Sequence, residues 1–329
     1  MYNNKKVLVA GGTGTVGIPL VHKLASLGAN VTVASLDQKE YAKEVLGDAA
    51  DFIQVDMTEI ESCLNVAKGQ DYVFNLVGMK GSTGIGASKA ASYFVPMIRY
   101  QTNLMDAAFR SGADRYLFVS SVCVYPQSEF HVEDNAWNGL PLQGDRYAGV
   151  AKRVGEIQAE TYQHEYGWNA VRIVRPSNIY GPFDDFNPET AQVIPALISR
   201  VLRGDDPIKV WGDGSVKRDF IFSEDAADGM LVALEKGPPC LPVNLGSGVG
   251  TTIKELVETI LRWAPAAPEV QWDPSGITGD PVRILSMDRA AEVLGFRPAH
   301  GLDDGIKQTI RWYLENKDLA DRKKRAFDD

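Results

Sequence analysis

Lys6-Val7-Leu8-Val9-Ala10-Gly11-Gly12-Thr13-Gly14-Thr15-Val16-Gly17 is the stretch that decides how this chain folds. Residues 7–10 read as a short apolar strand, and Gly11, Gly14 and Gly17 follow at even spacing. Residues 18–27 then carry a helical apolar pattern, with Leu20, Val21, Leu24 and Leu27 on one side. In a strand–glycine turn–helix unit, glycines let the backbone turn tightly and approach a pyrophosphate, and the helix N-terminus offers N–H groups to its charge. Strand and helix context, rather than the glycines alone, carries the expectation of a dinucleotide site around Gly11, Thr13, Gly14, Thr15, Val16 and Gly17. The bland alternative is a tight turn in an α/β fold.

Working outward, residues 31–34 predict a second strand ending at Ser35-Leu36-Asp37. An acid here would bind adenosine ribose hydroxyls, whereas a small residue with a nearby cation favours a 2′-phosphate. Ser35 stands where the acid is usually found, Asp37 follows it, and Lys39 is the close cation. The reading favours NAD and leaves NADP open. A third strand over 50–55 leads to Asp56 and Met57, where Asp56 suits either an adenine amino group or a helix N-cap. A fourth strand over 71–77 ends in Leu76-Val77-Gly78, and a glycine-rich loop with Lys80 and Gly81 follows at the strand end where α/β sites form. A helix over 100–111 carries Asn103, a fifth strand over 115–120 runs into Ser121 and Cys123, a helix covers 148–166, and a sixth strand over 169–174 is broken by Arg175-Pro176. This alternation predicts a parallel, doubly wound sheet. From Phe183 prolines multiply and helices over 192–203, 226–235, 253–263, 286–294 and 302–315 dominate. We therefore divide the chain into a dinucleotide-binding domain, 1–182, and a smaller, mostly helical substrate-binding portion, 183–329, with some chain crossing back.

The 329 residues suffice for that arrangement, and 44% hydrophobic with 23% charged residues is ordinary for a soluble globular protein. A net charge of −9 argues against nucleic acid as main partner. Cys63, Cys123 and Cys240 are odd in number and widely spaced, which suggests no disulfide framework, no zinc site and a reducing cytoplasm. The polar start running straight into a strand leads us to expect no signal peptide, and no apolar run approaches a membrane span.

The pieces GGTGTVG (11–17), SSVCVYP (120–126), AGVAKRVGE (148–156), RPSNIYGP (175–182), VIPAL (193–197) and VWGDGSVKRDFIF (210–222) together resemble the extended short-chain dehydrogenases/reductases that act on nucleotide sugars. The resemblance spans roughly residues 5–316, and the last two pieces are most similar to GDP-sugar enzymes of the fucose synthase and mannose epimerase types. It implies a Rossmann-type α/β fold, an NAD(P) cofactor, a GDP-linked, manno-configured sugar and hydride transfer at sugar C4. It also implies a homodimer built on the helices over 100–111 and 148–166. On the residues that match, Ser121 would hydrogen-bond the sugar oxygen and Lys152 would hold the nicotinamide ribose. Asn103 would brace the active-site helix, and Pro176, Ser177 and Asn178 would line nicotinamide and sugar. Arg218 and Arg283 would grip the diphosphate, with Gln192, Val193 and Trp211 also on the substrate side.

Two positions depart from the pattern. The family's acid/base tyrosine belongs four residues before the lysine, and that position is Ala148. Tyr147 is five residues before Lys152; at about 100° per residue it would lie roughly 140° around a regular helix from the lysine. The lineage works without the tyrosine, or the tyrosine has been replaced by an introduced change, or Tyr147 substitutes through a shift at the helix start. Cys123 matches an acid/base cysteine of the epimerising members, but their partner histidine is Gln192 here, which cannot exchange protons near neutral pH. These departures favour a simple dehydrogenase or reductase over an epimerase or dehydratase. They also leave a second class open, a catalytically silent dinucleotide-binding relative.

Overall fold

The computed structural model describes residues 1–78, 89–187, 190–275 and 279–322; Lys80 and Gly81 lie outside these. The apolar run after Lys5 forms β1 (Lys6–Ala10), followed by β2 (Asn30–Ser35), β3 (Asp51–Gln54), β4 (Tyr72–Asn75), β5 (Arg115–Val119), the short β6 (Phe130–His131), β7 (Val171–Pro176) and β8 (Asn178–Tyr180). In the second half come β9 (Ile208–Trp211), β10 (Lys217–Arg218), β11 (Phe220–Phe222), β12 (Pro242–Leu245), β13 (Thr251–Thr252), β14 (Val270–Asp273) and β15 (Val282–Leu285). The main sheet has seven parallel strands in the order β12-β7-β5-β4-β1-β2-β3. Strand alternation sends Val7 and Val9 into one core layer and Leu8 and Ala10 into the other. The helices Gly17–Ser26 and Ser223–Lys236 cover the first face; Ile60–Ala67, Ala90–Arg110 and Arg146–Tyr166 cover the second. Burying both faces is what a parallel sheet requires.

The halves exchange strands. β12, from the second half, closes the edge of the main sheet against β7, while β6, from the first half, joins a four-stranded sheet ordered β13-β10-β15-β6. A third core, built on Phe186, Ile194, Ile198, Leu256, Ile260, Ile306 and Tyr313, packs with residues of β8, β9, β11 and β14.

Several expected boundaries move. The helix expected over 100–111 begins at Ala90 and continues through Pro96, because Phe94, Met97 and Ile98 pack on the core and hold it there at the loss of one backbone bond. The helix carrying Lys152 starts at Arg146 rather than 148. Arg175 and Pro176 lie within β7 rather than breaking it, since Pro176 needs no donor at the strand end. The helix expected over 286–294 shrinks to one wide turn, Ala290–Leu294, stopped by Gly295 at φ 66°.

Candidate active site

The glycine loop between β1 and the first helix assigns each glycine its own task. Gly11 has φ 77° and lies against the backbone of Leu76 and Val77, so it makes the turn. A Cβ on Gly17 would meet Gly12 at 2.6 Å, so this glycine sets the close approach of helix to loop. A Cβ on Gly14 would meet only the Gly11 carbonyl, at 3.3 Å, and otherwise enters open space where a pyrophosphate would lie. At the end of β2 the Thr13 hydroxyl donates to the Asp37 carboxylate and its oxygen lies 3.0 Å from Ser35 Oγ, placing an acid beside the loop. These residues fit a nicotinamide dinucleotide, with Asp37 poised for ribose hydroxyls. Val16 caps the first helix, half-buried, and Thr15 donates to buried Asp184 at 3.1 Å. Asp56 accepts from the Thr58 amide at 2.8 Å, Met57 is buried in the core, and Gly78 is exposed, three residues beyond β4.

The candidate catalytic residues lie where β5 meets the helix Arg146–Tyr166. Ser121 is half-buried and accepts the Cys123 amide at 3.2 Å, which pins the turn Val122–Val124. A Cβ on Gly149 would collide with the Cys123 carbonyl, and one on Gly155 with the Phe118 ring, so these two glycines let the helix lie directly on β5 and its turn. That packing brings Lys152 in from the helix. It is buried, donates from Nζ to the Val119 carbonyl at 2.9 Å and stands 5.4 Å from the Phe118 ring centroid. Burial draws its pKa down to about 8, against the opposing pull of Cys123 and Glu156. Cys123 is pushed up to about 12, by burial first and then by the Asp145 carboxylate, so its thiol is protonated at neutral pH. Tyr147 is 45% exposed and meets Phe94 edge-on at 6.2 Å, while Ala148 is half-buried against the core.

The second half brings cations to this point. Arg218 of β10 and Arg283 of β15 are register partners on adjacent strands. Arg283 pairs with Asp145 at 2.7 Å and Asp280 at 3.4 Å, and Arg218 donates to the Asp280 carbonyl at 2.7 Å. Burial and the neighbouring Arg283 lower Arg218 to about 10. Trp211 ends β9 with 64% of its surface exposed, Gln192 caps the helix Val193–Arg203 without a side-chain bond, and Val193 packs on the third core. Pro176 and Ser177 are buried at the end of β7, and the Asn178 amide donates to the Asp219 carbonyl at 2.8 Å.

One expected contact is made by another residue. Asn103 donates to the Thr58 carbonyl at 2.8 Å, and the brace to the Lys152 helix comes from Gln101, which donates to the Ala151 carbonyl. The sequence reading also passed over Asp145 and the buried pair Glu156–Arg175. Arg175 grips Glu156 through two bonds of 2.9 and 2.7 Å and also donates to Tyr125 and the Glu133 carbonyl. Helical spacing is a signal for two of them, since Asp145, Lys152 and Glu156 recur on one face.

A family model described as "NAD dependent epimerase/dehydratase family" matches residues 7–246. The chain is 30% identical to a probable GDP-L-fucose synthase of Oryza sativa subsp. japonica, over 94% of this chain and 92% of that one. It is 29% identical to a GDP-mannose 3,5-epimerase of the same plant, over 94% and 82% of the two chains. Among solved structures, an epimerase of Methanothermobacter thermautotrophicus matches with TM-score 0.88 at 25% identity, covering 98% of this chain and 95% of that one.

Proposed function

The chain belongs to the NAD dependent epimerase/dehydratase family of nucleotide-sugar enzymes, and from that premise we propose that it is an NAD(P)-dependent oxidoreductase acting at C4 of a GDP-linked, manno-configured sugar. One observation supports the reading: Arg283, in register with Arg218 on the small sheet, pairs with Asp145 and lies near Cys123, on the turn that follows Ser121 beside Lys152. Guanidinium forks suit a diphosphate, and the Ser121 hydroxyl suits a sugar oxygen. When bound, the nicotinamide supplies or accepts the hydride. Asp37 at the end of β2 favours NAD over NADP. Trp211, Asn178, Gln192 and Val193 would complete the sugar nucleotide's surroundings, with Leu76, Val77, Pro176 and Ser177 on the cofactor side.

The test is turnover of a GDP-4-keto-6-deoxy sugar with NADH and with NADPH, followed at 340 nm. Loss of absorbance supports the reading; dinucleotide binding without turnover of GDP-, dTDP- or UDP-linked keto-sugars would mark a silent relative instead. An epimerase is the second reading, favoured by Cys123, and deuterium uptake at sugar C3 or C5 in heavy water would establish it. We place the reaction in the cytoplasm, where the three free thiols stay reduced. We also propose a twofold dimer through the helices Ala90–Arg110 and Arg146–Tyr166; sedimentation showing only monomer at micromolar concentration would refute it.

A further inference from the structure

We infer that Lys152 itself passes the proton to the sugar oxygen, from Nζ, in the role that Ala148 cannot fill. The inference rests on the C4 oxidoreductase reading. Its ground is a count of donors. An ammonium has three N–H bonds, and among the described residues the hydrogen-bond acceptor of Lys152 Nζ is the Val119 carbonyl at 2.9 Å. That bond anchors the head at the end of β5, two residues before Ser121. One remaining N–H suffices for a ribose hydroxyl and the other for the sugar oxygen.

Beyond Val119, the described neighbours form no hydrogen bond with this head. From its own helix it faces Glu156, whose carboxylate is held by Arg175 of β7 and by the Ser120 hydroxyl at 2.6 Å. From β5 it faces the Phe118 ring, and from the following turn the Cys123 thiol. Asp145, at the start of the helix, is held by Arg283 of β15. The rival donors are worse placed. Tyr147 faces outward onto Phe94, and the Cys123 thiol holds its proton up to about pH 12. A lysine drawn down to about 8 can both give and regain a proton near neutral pH.

In the reducing direction the sugar carbonyl carbon gains the hydride pair and the C–O π pair moves to oxygen. The O–H bond forms as one Nζ–H bond breaks, and the neutral amine takes a proton from water. The ketone is reduced to an alcohol and the dihydronicotinamide is oxidised.

Lys152→Arg is the discriminating variant, because a guanidinium keeps the charge and donors but does not release its proton. With dinucleotide saturating, kcat should fall by about 10²-fold or more. Adding Ala148→Tyr to that variant should restore at least about tenfold, through a hydroxyl one helical turn from position 152. Independently of turnover, the Lys152 Cε resonance of ¹³C-lysine-labelled, ligand-free protein, assigned by its loss in Lys152→Arg, should titrate near pH 8. A wild-type protein that turns over no keto-sugar overturns the function reading and this inference with it. Wild-type turnover with kcat of Lys152→Arg within tenfold, no gain from Ala148→Tyr, or titration near the ordinary lysine value overturns this inference alone.

Discussion

Tyr147 and Ala148 are adjacent in the chain but sit on different sides of the helix Arg146–Tyr166. Tyr147 rests on Phe94 with its ring half in solvent, and five residues separate it from Lys152, which turns it off the lysine's face of the helix. Tyr147→Phe is therefore expected to leave kcat within about tenfold, short of the ~10²–10⁴ that a positioned acid/base contributes; a hundredfold loss at unchanged dinucleotide affinity would show the first turn to be distorted. A second residue-scale consequence concerns His131, which is 1% exposed, stacks on Tyr125 at 4.7 Å and has no hydrogen-bond partner at either ring nitrogen among the described residues. Burial, then the charge of Arg283, lowers its pKa to about 4 from an ordinary 6.5. The unfolded chain takes up this proton first as pH falls, so the stabilisation is full above about 6.5 and is lost on descending to about 4, up to ~3 kcal/mol. His131→Phe keeps the stack and removes the titration. Urea unfolding at pH 7 and pH 4.5 should show a smaller acid loss in that variant, and equal losses would refute the assignment.

At the scale of elements, the glycine loop separates ligand space from packing space. Gly14→Val should fold with a thermal midpoint near that of the parent yet bind no dinucleotide, since its side chain enters open space at the loop. Retained affinity, measured by fluorescence titration, would refute the placement. The first strand, glycine turn and helix were readable because every determinant lies in the one continuous stretch from Lys6 to Leu27, and the helices Ile253–Trp263 and Leu302–Glu315 were readable from their periodicity. The helix Ala90–Arg110 was only half legible, because Pro96 reads as a boundary and tertiary packing overrides it. Of the candidate site residues, Ser121, Lys152 and Arg218 lie within the matching motifs, and Arg283 enters only through the wider resemblance. The motifs did not give Asp145 as the partner of Arg283 or Gln101 as the brace, since both depend on contacts between segments far apart in the chain.

For the whole molecule, the network around Asn244 shows how tightly the halves depend on each other. From β12, its side chain accepts from Tyr125 at 2.6 Å and donates to the His131 and Ser286 carbonyls, while its amide donates to Glu133. A fragment comprising residues 1–182 would lose this network and expose the backbone edge of β7 that β12 now pairs. It is expected to be insoluble or to lack a cooperative thermal transition, and co-expression with residues 183–329 should restore one; a soluble, cooperatively melting fragment would contradict this. Interlaced strands also bear on heredity. A crossover between two related genes near the middle of the chain would put β6 and β12 of one ancestor against the sheets of another, and both pairings would have to survive the exchange. On the proposed function, new sugar preferences in such a chain would come by point changes on the small sheet, around Arg218 and Arg283, and the two interlaced halves would pass on as one unit.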